Sequence, residues 1–441
     1  MLGKSTLALA VLAAVAPAQF LETTITLPDS SYPYGLYYNL PNNKVYCANA
    51  NGNTITIIDG ADNEVLATLP ARLYPVDFCY SPVSNLVYCQ NYGSAELTAI
   101  DGAGDTIVAI VPGVGSSWEA SYNSVDNTIY TASIHWTNGV VVTSCAANSA
   151  VDTIPIDYPP FRFCHNPTEN KIYCSLPDTL AAVIDCATNT IVACVRVAAS
   201  PQGLLFIPRS NKVYCASTGG GISVIDGASN RVTATIPVDG IMYAAVYNER
   251  QDRVYAPVVD RDSILVVDCA ADTVVALVPS GHNPLAVCYA PAGNKVYCTN
   301  HLDSTVTVMD CASNGIVTTI GVGDYPRAIC HNPRHNRVYV ANTESSTISV
   351  IRDTSAGVTE PTRTPGRTPG GRPTIVRGVL DLGPQSPPGG RCAELLDAAG
   401  RRVMSLVPGA NDLSRVAPGV YFVRSTNGNR RPTVSKLVVA R

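Results

Sequence analysis

Short segments in which hydrophobic and polar residues alternate run along most of the chain, separated by turn-forming residues. Alternation with a period of two predicts β-strands with one buried face. The intervening residues are rich in Pro, Gly, Asn and Asp, which tight turns favour. One clear stretch has four such segments, at residues 285–289, 295–299, 305–310 and 316–320. This pattern predicts an all-β protein.

A Lys-Val-Tyr-Cys-like element repeats along the chain with a period of 41 to 43 residues. Four short strands per repeat is the size of a β-propeller blade, and one blade cannot bury both of its faces alone. We therefore predict an eight-bladed β-propeller. Seven blades are the alternative if one unit is degenerate, and the third unit is the most divergent. The repeated tyrosines are Tyr46, Tyr88, Tyr130, Tyr173, Tyr214, Tyr255, Tyr297 and Tyr339.

The last repeat lacks a fourth strand, and the beginning of the chain offers one. Residues 22–28 (ETTITLP) align with fourth strands such as residues 233–237 (TATIP). We expect the N-terminal strand to complete the eighth blade and close the ring, which removes an exposed sheet edge.

Composition divides the 441 residues into four segments. Residues 1–18 contain Lys4, a short apolar run and an Ala-Pro-Ala cleavage site, and this order predicts a secretory signal peptide. Residues 19–353 are the predicted propeller, and residues 354–373 form a Pro/Gly/Thr/Arg linker. Residues 374–441 predict a small C-terminal β-sandwich. No stretch is long and apolar enough to predict a transmembrane segment.

The formal net charge of −4 conceals an acidic propeller segment and an Arg-rich tail. An acidic body does not favour nucleic-acid binding, and the basic residues of the tail are spread through its strands and linker. We expect no nucleic-acid partner.

The repeat resembles a known family. Residues 45–49 (VYCAN) and 339–342 (YVAN) resemble the YVTN β-propeller repeat of surface-layer proteins, although Cys often replaces its Val. This resemblance implies a propeller and says little about activity, because propellers host many functions.

The tail resembles a second family. Residues 400–403 (GRRV), 417–423 (APGVYFV) and 436–439 (KLVV) are similar to the type A sorting domain of type IX secretion, with Gly419, Tyr421 and Lys436 at motif positions. The resemblance implies recognition by the type IX machinery, and then secretion or attachment to the outer surface of a Gram-negative-type bacterium. An ordinary accessory β-sandwich is the alternative.

Fifteen cysteines in an exported chain raise the question of disulfides. Most of them alternate with Val, Ala, Leu or Thr at equivalent repeat positions, which favours buried free thiols. Three repeats contain two cysteines ten residues apart, and a turn with an odd number of residues would place them opposite each other. The possible disulfides are therefore Cys79–Cys89, Cys164–Cys174 and Cys288–Cys298.

The sequence contains no recognisable catalytic motif, and we predict no catalytic residues, metal ligands or cofactor. Asp recurs before one turn in six of the eight repeats, where its side chain is expected to accept hydrogen bonds from turn amides. His165 and His331 share a repeat position with tyrosines and are expected in the core.

One rim of the propeller departs from the repeat. A position beside a recurring proline forms a ring around the axis, and half of its members are aromatic in a chain with 7% aromatic residues. Both tryptophans of the chain lie in the third repeat on this rim, and packing alone does not require such departures. Asp77, Glu119 and Arg162 follow the ring position. The candidate ligand-binding residues are Tyr34, Trp118, Glu119, His135, Trp136, Phe161, Tyr243 and Arg327.

These features predict a secreted or surface-displayed binding protein that presents a loop face to a protein or a glycan, with Trp118 and Trp136 as the hot spot. Aromatic residues that merely plug a wide channel would look the same in the sequence. The alternative function is an extracellular propeller enzyme, either a lactonase-like hydrolase or a redox-cofactor protein, with its active site at the channel.

Overall fold

Eight four-stranded antiparallel sheets account for residues 19–353, as eight blades of a propeller. The computed structural model describes residues 19–133 and 139–353, and in the tail residues 374–376, 379–381, 392–396, 402–406, 410–412, 416, 419–426 and 433–439. The chain divides into two compact units, Met1–Val358 and Thr359–Arg441. No helix among these described residues is long and apolar enough to cross a membrane.

Each blade is an up-and-down meander in which the first strand lies innermost, against the first strands of its neighbours, and the fourth strand is outermost and most exposed. A single turn of 3-10 helix, Val259–Arg261, lies in the sixth blade. The strands of the propeller are β1 (Gln19–Thr26); β2 (Pro33–Asn39), β3 (Lys44–Asn49), β4 (Thr54–Asp59), β5 (Val65–Pro70); β6 (Pro75–Ser81), β7 (Leu86–Asn91), β8 (Glu96–Asp101), β9 (Ile107–Pro112); β10 (Ala120–Asn123), β11 (Thr128–Ser133), β12 (Gly139–Ser144), β13 (Ser149–Pro155); β14 (Phe163–Asn166), β15 (Lys171–Ser175), β16 (Leu180–Asp185), β17 (Thr190–Arg196); β18 (Ala199–Ile207), β19 (Lys212–Gly219), β20 (Gly221–Asp226), β21 (Arg231–Ile236); β22 (Val246–Asn248), β23 (Arg253–Val258), β24 (Ser263–Asp268), β25 (Thr273–Pro279); β26 (Pro284–Ala290), β27 (Lys295–Asn300), β28 (Thr305–Asp310), β29 (Gly315–Gly321); β30 (Pro326–Asn332), β31 (Arg337–Asn342), β32 (Thr347–Asp353).

The two ends of the propeller segment meet in the eighth blade, as the sequence predicts. Strand β1 pairs antiparallel with β32 and is the outermost strand of the order β1-β32-β31-β30. Ile25 at its end packs in one buried cluster with Val45 of the first blade and Tyr339 of the eighth. The ring therefore closes through non-covalent pairing of its first and last strands.

Asparagines with a left-handed backbone conformation form the turns between the first and second strands. The residue three before each repeated tyrosine has a positive φ, for example 53° at Asn43 and 54° at Asn127, and it is Asn in seven blades and Asp252 in the sixth. Asn and Asp tolerate this conformation better than other residues with side chains. The Asn that precedes Lys-Val-Tyr is thus a turn residue that allows β2 and β3, and their equivalents, to pair.

The repeated tyrosine, and a lysine two residues before it, form hydrogen bonds to the next blade in several blades. The hydroxyl of Tyr130 donates to Asn189 Oδ1 of the following blade over 2.9 Å, and Tyr130 is fully buried. Lys171 donates its ammonium to the Gly227 carbonyl of the next blade at 2.8 Å and to Asn230 Oδ1 at 3.0 Å. These acceptors lie in the turn between the third and fourth strands, where the Asn has a positive φ. One tripeptide therefore supplies both the blade core and the contact between blades.

Two groups of repeated residues behave as the sequence predicts. The recurring Asp accepts turn amides, as in the 2.7 Å bond from Ala61 N to Asp59 Oδ1 and the 2.8 Å bond from Ser229 N to Asp226 Oδ1. His165 lies in β14, and burial lowers its pKa to about 4. Both roles are architectural.

The register contradicts the cross-strand disulfides. The turn between β6 and β7 has four residues, so Cys79 lies opposite Tyr88 and Cys89 opposite Phe78. Successive side chains of a strand point to opposite faces, which directs the two cysteines of a blade towards different neighbouring blades. The same offset separates the other two pairs, and all six residues are free thiols: Cys79 and Cys89, Cys164 and Cys174, Cys288 and Cys298.

The second unit contains a five-stranded sheet and a separate two-stranded sheet. Residues 374–381 contain two short strands that belong to different sheets. The strands of this unit are β33 (Thr374–Val376), β34 (Val379–Asp381), β35 (Cys392–Leu396), β36 (Arg402–Leu406), β37 (Ala410–Asp412), β38 (Gly419–Thr426) and β39 (Thr433–Val439), with the five-stranded order β33-β39-β38-β35-β36.

The tyrosine contacts between blades generate a testable contrast. Tyr130→Phe should lower the free energy of unfolding by about 1 kcal/mol, because it removes the bond of the buried Tyr130 hydroxyl to the half-buried Asn189. Tyr46 occupies the same repeat position, but its buried hydroxyl has no hydrogen-bond partner among the described residues. Tyr46→Phe should therefore have almost no effect in the same denaturant titration, and equal losses at both positions would contradict this account.

Candidate functional site

A cavity of about 750 Å³ opens at the axis of the propeller, among the first strands and the loops that precede them. Six of the eight predicted ring residues line it, and Phe161 and Gln202 do not. Five of the candidate ligand-binding residues are on its wall, namely Tyr34, Trp118, Glu119, Tyr243 and Arg327. His135 and Trp136 lie outside the described residues. Ligand binding by any of them remains a prediction.

A ladder of stacked rings forms one side of the cavity. Trp118 stacks on Tyr92 with centroids 4.0 Å apart and, on its other face, on Tyr34 at 5.8 Å. Tyr74 meets both Tyr34 and Trp118 edge-on, at 6.1 Å and 6.4 Å. Both faces of Trp118 are therefore covered by protein, and only the edge of its indole remains for a ligand.

Arg327 extends the ladder by one more layer. Its guanidinium carbon lies 3.8 Å from the centroid of the Tyr34 ring, in cation–π geometry, and the same group donates a hydrogen bond to a Tyr34 hydroxyl. Arg327 belongs to the eighth blade and Tyr34 to the first, so this contact crosses the point of ring closure. The stack holds a positive charge in a fixed position at the cavity.

Tyr74 and Tyr92 are the members of the ladder that sequence reasoning missed. Tyr74 precedes Pro75 with a left-handed backbone, and Tyr32 and Tyr325 do the same before Pro33 and Pro326. This recurring Tyr-Pro pair in the sequence could have identified Tyr74 as a residue beside the cavity. Tyr92 follows strand β7 and has no counterpart in the repeat that could have indicated it.

Three consecutive blades carry charged residues at the position that follows the ring residue. Asp77, Glu119 and Arg162 line the cavity there, whereas the other five blades have Gly or Ala. Arg162 Nη1 lies 3.4 Å from Glu119 Oε2, and both side chains are 32% exposed. Asp77 Oδ2 accepts a 3.4 Å hydrogen bond from the Ala120 amide. We call these three residues the charged sector.

Both carboxyl groups of the charged sector hold their protons more tightly than usual. Burial raises the pKa of Asp77 to about 6, although amide hydrogen bonds and Arg162 act in the opposite direction. Burial also raises the pKa of Glu119 to about 7, opposed by Arg162 and reinforced by the nearby Asp77. Groups with pKa values near neutrality can exchange protons with a ligand at physiological pH.

Tyr243 faces the cavity from the sixth blade, which lies across a ring of eight from the second blade and its Asp77. The Tyr243 side chain is 37% exposed and stacks on no other ring in the described part of the chain. It therefore offers an aromatic ring that no other described ring stacks on, across the axis from Asp77 and two blades from Arg162.

His301 also lines the cavity, but its ring is engaged. Its Nδ1 donates to the Pro326 carbonyl over 3.2 Å, and the ring packs edge-on against Tyr325 at 4.9 Å. Burial lowers the pKa of His301. In the described residues, no three or more His, Cys, Asp or Glu side chains cluster in a way that could hold a metal ion.

The raised pKa of Glu119 makes a prediction about stability and pH. Between pH 4.5 and about 7 the folded protein binds more protons at this group than the unfolded chain, so its stabilising contribution falls as pH rises. The melting temperature of Glu119→Gln, relative to wild type, should therefore increase by several degrees from pH 4.5 to pH 8. His165 titrates in both proteins, so its effect cancels in the difference between their melting temperatures. Glu64→Gln, at an exposed position of the first blade, is the control, and a difference that stays constant with pH would refute the assignment.

Comparisons with known proteins agree on the propeller. A family model described as "Lactonase, 7-bladed beta-propeller" matches residues 240–377, less than a third of the chain. No curated protein sequence is significantly similar to the chain. The matched segment includes Tyr243, His301 and Arg327 of the cavity, but it excludes the charged sector.

Two solved structures share the fold at low sequence identity. Hydrazine synthase of Kuenenia stuttgartiensis is 16% identical and has a TM-score of 0.53, with 74% of this chain and 96% of that chain covered. The dihydro-heme d1 dehydrogenase NirN in complex with DHE is 14% identical and has a TM-score of 0.57, with 67% and 72% covered. These likenesses support the fold alone. The chain is a β-propeller with eight blades, one more than the description of the matching family.

Proposed function

We propose that this protein binds a small ring-shaped ligand in its central cavity. The observation that carries the proposal is the composition of the wall, where the unstacked aromatic ring of Tyr243 and the three residues of the charged sector line one cavity. A volume of about 750 Å³ is within the range of small-molecule sites. Aromatic faces bind sugar and other rings, while a few fixed polar groups orient them.

The sequence predicts a loop face that binds a protein or a glycan, and the cavity favours a small ligand over a protein. A protein partner would need a broad exposed surface, whereas these groups point into a confined cavity. The covered faces of Trp118 assign it a supporting role, because it holds Tyr34 and, through it, Arg327. A single sugar residue of a glycan would still fit the proposed site.

Two residues at one repeat position provide a matched test. Tyr243 and Phe161 are both 37% exposed, but only Tyr243 lines the cavity. Tyr243→Ala should weaken binding of any ring compound at least about tenfold, and Phe161→Ala should leave it unchanged. Trp118 can report binding by fluorescence once Trp136, the other tryptophan, is replaced by Phe. The panel comprises monosaccharides, sugar acids, lactones and aromatic acids, and equal effects of the two variants would reject the cavity as the site.

A hydrolase acting on a lactone is the second candidate, favoured by the partial match to the lactonase family and by the pKa of Glu119 near 7. In this scheme Glu119 would take a proton from water as the water attacks the carbonyl carbon, and the ring oxygen would leave with a proton. Acid release from D-glucono-1,5-lactone by the protein, and not by Glu119→Gln, would favour this candidate.

We propose that the chain is exported and sorted as its sequence motifs suggest. In this scheme, residues 1–18 are the signal peptide, residues 19–353 carry YVTN-type blades, residues 354–373 are the linker, and residues 374–441 are a type IX sorting domain. Two observations are consistent with it. Gly419 and Tyr421 lie on β38 and Lys436 on β39, and the register pairs Phe422 with Lys436. The motif segments thus belong to adjacent strands of one sheet.

Export can be tested in a bacterium with type IX secretion. A chain that ends at residue 373 should accumulate in the periplasm, whereas the full chain should reach the medium or the cell surface. A Lys436→Glu variant tests the motif with the tail retained. Surface delivery of the truncated chain, measured by protease accessibility of intact cells, would contradict the sorting role.

A further inference from the structure

We infer that the ligand of the central cavity is a ring that carries a carboxylate, and that this carboxylate takes the place beside Arg162 that Glu119 occupies. The inference rests on the proposed function and specifies its ligand. Glu119 is then an internal substitute for the ligand's own acidic group.

Packing of the blades does not call for the charged sector. Five blades have Gly or Ala at this position, so a small residue is sufficient for packing there. At Gly35, an added Cβ would lie only 2.2 Å from the Val76 carbonyl oxygen. Where Asp77, Glu119 and Arg162 occur instead, their side chains extend into the cavity. They are departures from the repeat that a ligand would explain.

The pair of Arg162 and Glu119 is loosely made. One guanidinium nitrogen contacts one carboxylate oxygen at 3.4 Å, although a guanidinium has five N–H donors and can hold a carboxylate through two parallel bonds. The backbone of Arg162 is fixed, since its amide donates to Ser175 Oγ at 3.2 Å and its carbonyl accepts from the Ser175 amide at 3.0 Å. Because the backbone of Arg162 is fixed and its guanidinium has unused N–H donors, the side chain is suited to bind a carboxylate through two parallel hydrogen bonds.

The charges that face the cavity favour an anion. Burial raises the pKa of Asp77 to about 6 and that of Glu119 to about 7, so at pH 7 Asp77 is mostly ionised and Glu119 only about half ionised. The two acidic groups therefore do not fully balance the two guanidinium groups. Burial also raises the pKa of the tyrosine beside them and lowers that of the histidine, which keeps both neutral. The groups in question are Asp77, Glu119, Arg162, Arg327, Tyr34 and His301.

The polar groups converge, which limits the ligand's acidic group to one end of the ring. Arg327 contacts Tyr34 and Arg162 contacts Glu119, and all four residues line one cavity together with Asp77. Tyr243 lines the same cavity two blades away from Arg162. A ring with a carboxylate at one end can contact Tyr243 with its face and Arg162 with its acid.

Two matched pairs of probes test the inference, with Trp118 as the reporter in a Trp136→Phe protein at pH 7. Benzoate is compared with benzamide, and D-glucuronate with D-glucose, so each pair differs in charge and the two pairs distinguish aromatic from sugar acids. In at least one pair the acid should bind at least about tenfold more tightly than the neutral compound. Glu119→Gln should tighten binding of the acid severalfold, because it removes the internal competitor.

Variants of arginine supply the controls. Arg162→Met should reduce the preference for the acid to about one, Arg162→Lys should retain part of it, and the surface variant Arg209→Met should not change it. Melting temperatures identify any variant that fails to fold, in which case Arg162→Lys and Glu119→Gln decide. Equal binding of acid and neutral compound overturns this inference and leaves the proposed function standing. Failure of all four probes and of the wider panel to bind overturns both.

Discussion

The burial of the repeated tyrosine between neighbouring blades is the interaction on which the rest of the structure depends. A four-stranded sheet cannot bury two faces alone, so each blade is stable only against its neighbours. Tyr130 provides apolar area for this packing and also fixes the angle between two blades, through its hydroxyl and Asn189. The asparagine that accepts the bond also makes the turn, so local and tertiary requirements coincide in one residue.

The contact between blades has a consequence for the cavity. The contact joins the second strand of one blade to the turn between the third and fourth strands of the next blade. The start of the first strand, which faces the cavity, takes no part in it. Glycine and alanine are sufficient there in five blades. The three charged residues of the charged sector, and the ladder from Tyr92 to Arg327, could therefore be acquired without disturbing the ring.

The cysteines and histidines show how repetition separates architecture from chemistry. Cys79 and Cys89 look like a disulfide in the sequence, but each fills a different interface between blades. His165 and His331 look like candidate bases, but they occupy a slot that elsewhere holds tyrosine. Burial lowers the pKa of both histidines, which makes them neutral core residues. What differs between blades is a better guide to function here than what is chemically reactive.

The amino-acid sequence by itself predicted the blade, eight blades with seven as the alternative, and the closure by strand β1, because these depend on periodicity and on turn residues that act locally. It also placed Tyr34, Trp118, Tyr243 and Arg327 at one level around the axis. Only the tertiary structure decided which of these residues face the cavity, that Trp118 is covered on both faces by Tyr34 and Tyr92, and that a four-residue turn keeps paired cysteines apart. Those outcomes depend on distances between blades and on the register of a strand, where a shift of one residue reverses a side chain, and the repeat pattern does not specify either.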